Sequence, residues 1–70
     1  MLHRLLKDLR QELGFNQRDF AKLTLAMQPT VSDWERGGRV PTKAQFRAIL
    51  KLAEAAPLLT AKLTEAWLDQ

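Results

Sequence analysis

Apolar residues recur at helical spacing along nearly the whole chain, and no segment shows the strict alternation of a strand. Glycine and proline divide this pattern into five stretches. Leu2, Leu5, Leu6, Leu9 and Leu13 share one face of a first helix, which Gly14 ends from a left-handed C′ position. Asn16 is a good N-cap for a second helix, with Asp19 in its first turn; the helix runs to about Leu23 or Thr24. Its inward candidates are Phe20, Ala21 and Leu23 or Thr24. A short turn follows through Leu25, Ala26 and Met27. A third helix spans about Gln28 to Arg36, with Pro29 in its first turn, Val31 and Trp34 inward and Gly37-Gly38 as its stop. Thr42 to Gln45 reads as a T-x-x-Q capping box. It opens a fourth helix that runs to about Ala55 and buries Phe46, Ile49, Leu50 and Ala53. Pro57 opens a fifth.

A chain of 70 residues supports one domain, here read as 1–70, with a thin core. It has no cysteine, so stability must come from helix packing, helped by a partner subunit. The N-terminal residues lack the pattern of a signal peptide, and no run approaches the roughly 20 apolar residues of a membrane span. A cytoplasmic location is expected. The net charge of +3 is unevenly spread. Residues 1–51 hold ten Lys and Arg against five acids, +5, whereas residues 52–70 carry −2. This asymmetry fits a basic body that meets a polyanion and a tail that meets something else.

The stretch FNQRDFAKLTLAMQPTVSDWERGGRVP, Phe15–Pro41, holds two short helices, a tight turn, a glycine stop and a proline. Two such helices can cross steeply, which lets the second enter a major groove about 12 Å wide. The segment, about 16–37, resembles the helix-turn-helix of the phage Cro and repressor type, the Xre family. The matching residues are Gln17, Phe20-Ala21, Val31, Trp34-Glu35, Gly37 and Pro41, followed by Phe46, Ile49, Leu50 and Leu52. The likeness covers about residues 2–56 without a gap. Three positions depart from the pattern: Leu25 stands where the family has glycine, Thr24 where it has an apolar residue, and Met27 where Ser or Thr caps the third helix.

The resemblance implies an all-α, five-helix, lambda-repressor-like DNA-binding domain. It also implies roles for individual residues. Gln28, Pro29, Ser32, Asp33 and Arg36 lie on the outward face of the third helix, where they would meet base edges. Gln28 can bind adenine N6 and N7, Arg36 guanine O6 and N7 or a phosphate, and Asp33 cytosine N4. Gln17, Arg18, Thr30, Arg39 and Lys43 would meet the phosphate backbone.

Plainer roles compete at several of these positions. Trp34 shares a face with Val31 and is expected in the core. Glu35 is expected to partner an arginine or a backbone group rather than to act in catalysis. Asp33 can equally be solvated or paired with a nearby arginine, and Arg18 and Lys22 can be an exposed face. His3 has no second ligand nearby, so neither a metal nor a general-base role is expected. No nucleophile–base pair, glycine-rich phosphate loop or metal cluster points to an enzyme, and no cofactor is expected.

The last helix, about 57–69, carries Leu58, Leu59, Leu63, Ala66, Trp67 and Leu68, more apolar surface than one face of a small domain hides. One expectation is that it packs back on the first helix. The preferred one is a homodimer interface of Leu58, Leu59, Leu63 and Trp67. The sequence thus leads to a transcriptional regulator, a repressor that binds a palindromic operator in double-stranded DNA as a homodimer. The alternative is an antitoxin or another protein-interaction module with a toxin as partner. Restriction–modification control proteins and anti-CRISPR-associated repressors share the family pattern.

Overall fold

The computed structural model describes residues 1–70, which form five α-helices: α1 (Leu2–Glu12), α2 (Gln17–Leu23), α3 (Gln28–Arg36), α4 (Lys43–Ala53) and α5 (Pro57–Leu68). All five contribute to one core. Leu2, Leu6 and Leu9 of α1 meet Phe20 and Ala21 of α2, Val31 and Trp34 of α3, Phe46, Ile49 and Ala53 of α4, and Leu63 of α5. The family's apolar positions therefore point inward together, and Trp34 is a core residue. Its indole N–H is buried without a partner, a local cost that burial of the ring outweighs.

Helix starts follow side-chain chemistry. The Asn16 side chain accepts the Asp19 N–H at 2.8 Å and opens α2. At α4, Thr42 Oγ1 accepts the Gln45 N–H at 3.2 Å while Gln45 Oε1 accepts the Thr42 N–H at 2.9 Å. This is the reciprocal capping box that the T-x-x-Q spacing predicts. Helix α4 ends two residues earlier than expected. The N–H groups of Glu54, Ala55 and Ala56 each reach back three residues, tightening the last turn and bringing buried Ala56 against the core.

Three helices end in the same way. After α1 the Gly14 N–H bonds to the Gln11 carbonyl and the Phe15 N–H to that of Arg10. After α3, Gly37 and Gly38 repeat this with Trp34 and Asp33. Both follow the Schellman pattern, with the left-handed residue at C′. Gly14 has φ 80° and Gly37 φ 81°. After α2 the left-handed residue is Leu25, φ 61°, and the Ala26 N–H reaches the Ala21 carbonyl at 2.9 Å. A Cβ at Gly37 would meet only the His3 ring, at 3.6 Å. Gly37→Ala should therefore cost about 1 kcal/mol, mostly backbone strain, and lower the melting temperature by about 5 °C. Thermal unfolding followed by circular dichroism checks it.

The departure at Thr24 is resolved by a hydrogen bond. Thr24 is fully buried, and its hydroxyl donates to the Phe20 carbonyl at 2.8 Å, with the Ala21 carbonyl at 3.3 Å. The hydroxyl is satisfied inside α2's last turn, so threonine fills an apolar site without stranding a donor. Leu23, the competing inward candidate, is exposed.

Helix α5 packs on α1 and α4. This corrects the expected dimer surface at Leu63. Leu63 is fully buried within the chain. Trp67 stacks on Phe46, with ring centroids 4.8 Å apart and planes 5° off parallel, and its Nε1–H donates to the Pro41 carbonyl at 3.3 Å. Leu63 is spent inside the protomer and Trp67 is half-buried there, because α5 closes one side of the core. Leu59 is half-buried against that core. Leu58 stands 87% exposed.

Candidate nucleic-acid interface

Helix α3 is divided lengthwise. Val31 and Trp34 anchor one side in the core, and the other side carries Gln28, Pro29, Ser32, Asp33 and Arg36. Gln28, Pro29 and Arg36 are exposed; Thr30, Ser32 and Asp33 are partly so. All five residues expected at base edges thus lie on one free face, away from the protein's own interior.

What holds this helix in place is an ion pair with α1. Arg10 Nε donates to Glu35 Oε2 at 2.7 Å, Arg10 Nη2 to Glu35 Oε1 at 3.0 Å, and Arg10 Nη1 to the Phe15 carbonyl at 3.0 Å. Gln17 Nε2 adds a bond to Glu35 Oε1 at 3.1 Å. The Arg10 and Glu35 side chains are 13% and 6% exposed. The bidentate fork fixes direction as well as distance, so α1, α2 and α3 are tied at one carboxylate. Burial pushes the Glu35 carboxyl up. The hydrogen bonds from Arg10 and Gln17, with the charges of Arg10 and Lys7, outweigh burial and hold it below its ordinary range. The hydrogen bond to Glu35 raises Arg10 in turn, against a smaller opposing effect of burial.

Glu35 therefore has the structural role that its neighbours suggested, and its arginine is Arg10, 25 residues away. Gln17, expected to hold a phosphate, spends one of its two amide N–H donors on Glu35. Its principal contact within the protein is this network. Asp33, expected at a cytosine, is also engaged: its Oδ1 accepts from Arg36 Nη2, and Arg39 Nε lies 3.9 Å from its Oδ2. This is the arginine pairing weighed for it. Arg36 and Arg39 remain 70% and 61% exposed, so Asp33 gathers two cations at the end of α3 without covering them. Exposed pairs of this kind contribute little, about 0–1 kcal/mol, so the arginines can turn to a stronger anion at small cost.

Arg18 and Lys43 are exposed at the starts of α2 and α4, on the elements that flank α3. Gln45, expected only as a helix cap, has a second part. Besides capping α4, its Nε2 donates to the Leu25 carbonyl at 3.2 Å and so joins α4 to the turn of the motif. The capping-box spacing marked Gln45 as a helix start, but nothing in the sequence signals this second bond.

With α2 buried on one side, a left-handed turn at Leu25 and a half-free α3, the fold is that of a helix-turn-helix protein. The family described as "Helix-turn-helix domain" matches residues 2–63, and the chain belongs to it. No curated protein and no solved structure matches the chain. The family is one of DNA binding, and no helix of the chain is long and apolar enough to cross a membrane.

Proposed function

We propose that the protein is a sequence-specific transcriptional repressor that inserts α3 into the major groove of a palindromic operator, as a homodimer in the cytoplasm. One observation carries this reading. The face of α3 bearing Gln28, Ser32, Asp33 and Arg36 is free, while its opposite face is anchored in the core and its end is clamped by Arg10 through Glu35. A rigid helix with a polar outer side can meet base edges in a fixed register. Gln28 reads an adenine and Arg36 a guanine or the adjoining phosphate. Arg18, Arg39 and Lys43 supply salt-dependent affinity. Asp33 presents Arg36 and Arg39, and Thr30 and the amide of Gln17 sit at the backbone. Occupying a promoter would suffice for repression.

Gln28→Ala and Arg36→Ala should each weaken binding to a duplex that the protein selects from a random pool, by about 1–3 kcal/mol, and relax preference at one base position. Fluorescence anisotropy with a labelled duplex measures both. Unchanged affinity in both variants would defeat the assignment of α3 as the reading element.

Leu58, exposed at the head of α5, favours a protein contact as well. The first choice of occupant is a second copy, with recognition helices about 34 Å apart on one face of the duplex. A second reading makes this end of α5 the seat of a different protein, as in an antitoxin. Molar mass in solution separates the two: a mass twice the chain's supports self-association, and a monomer that acquires mass only with a neighbour-encoded toxin supports the second.

A further inference from the structure

The turn between α2 and α3 contains a choice that stability alone does not explain. Three helices of this protein end with a left-handed residue, and two use glycine. The third uses Leu25, whose Cβ is strained at φ 61°. No packing compensates, because Leu25 is 67% exposed. Met27, two residues on and the N-cap of α3, is 75% exposed and gives no side-chain cap. Two large apolar side chains thus stand in solvent immediately before Gln28. Gln45 holds the Leu25 carbonyl from α4 and fixes where the side chain is presented.

We propose that Leu25, with Met27 beside it, is a specificity-determining contact that packs against the C5-methyl groups of thymine at the edge of the site read by α3. Gln45 is its positioning residue. The inference rests on the DNA-binding reading given above and extends it to residues outside the outer face of α3. The occupant follows from the surroundings. Lys22 on α2, three residues before Leu25, and Lys43 on α4, two residues before Gln45, are exposed cations. An apolar tip that immediately precedes the outer face of α3, with exposed cations close to it in the chain, suits a polyanion that carries apolar groups. In the major groove that group is the thymine methyl. Strained, exposed residues of this kind collect at functional sites, where a conformational cost is tolerated for a contact made elsewhere.

The test uses the full chain and a duplex selected by it from a random pool. Each thymine is replaced in turn by deoxyuridine, which lacks only the methyl group. The unaltered protein should lose roughly fourfold in affinity per contacted methyl removed, at one or two positions. Leu25→Gly should bind the thymine duplex more weakly and no longer distinguish thymine from deoxyuridine at the position Leu25 covers. Its melting temperature should rise by about 5 °C as the strain is released. Opposite changes in stability and discrimination separate this role from a structural one. Gln45→Glu retains an acceptor for the Thr42 N–H but loses the donor to Leu25, so α4 stays capped while thymine preference falls. Its added charge weakens both duplexes alike and drops out of their ratio. A selected duplex bound with the same thymine preference by Leu25→Gly would overturn the proposal and leave the function of α3 intact. A fall in the melting temperature of Leu25→Gly would overturn it too, because Leu25 would then be holding the fold. Failure to select any duplex would remove the DNA-binding reading and the proposal together.

Discussion

Arg10→Met should destabilise the protein by about 3 kcal/mol, because it leaves the Glu35 carboxylate buried with only Gln17 as a partner. In a chain of this size that is a large share of the total, and the melting temperature should fall by roughly 15 °C. Chemical denaturation at neutral pH measures the loss. Adding Glu35→Leu to Arg10→Met should restore most of it, since the penalty lies in the stranded charge rather than in the missing attraction. The pH dependence has a defined sign. Glu35 is held below its ordinary value of 4.5 in the folded protein. Its contribution is therefore complete above about pH 4.5 and is lost as pH falls through the lower folded value. Arg10, raised in the folded state, stays charged throughout that range. The gap between the parent and Arg10→Met should accordingly narrow on acidification, as protonation neutralises the carboxylate that the variant cannot pair. A gap that widens toward low pH would contradict this account of the network.

Trp67→Ala should cost about 3 kcal/mol, through the lost stack on Phe46 and the lost bond to the Pro41 carbonyl. The loss should be the same at every protein concentration, because both contacts are within one chain. An interface residue would behave differently: its removal would alter the concentration dependence of the melting temperature and leave the isolated protomer nearly unchanged. Trp67→Phe keeps the stack and loses the hydrogen bond, so it should cost about 1 kcal/mol. Melting curves over a hundredfold range of concentration distinguish the two roles.

Much of the fold was legible because helix ends are local chemistry. Asn16, the Thr42–Gln45 pair, Gly14, Gly37 and Pro57 mark starts and stops within a few residues of chain, and the structure uses each in that way. The division of α3 was legible for a related reason: Val31 and Trp34 are three apart and must share a face. Long-range pairings were not. Nothing near Glu35 in the chain names Arg10 as its partner or recruits Gln17, since the meeting depends on how α1 and α2 cross α3. In α5 the apolar period does not reveal that Leu63 is wholly inside the core or that Trp67 meets Phe46 and Pro41. Two of the three departures from the family pattern, Thr24 and Leu25, differ in kind. The buried threonine is satisfied by a carbonyl, whereas the exposed leucine carries strain that its own packing does not offset.

The protein's proposed function depends on the outer side of α3 reading base sequence. Selection of randomised duplexes by the purified protein, followed by sequencing, tests it most directly. Enrichment of one motif with twofold symmetry, shifted at a single base per half-site when Arg36→Ala or Gln28→Ala is used instead, is the predicted result. An unenriched pool, or one motif enriched identically by the parent and both variants, would contradict it.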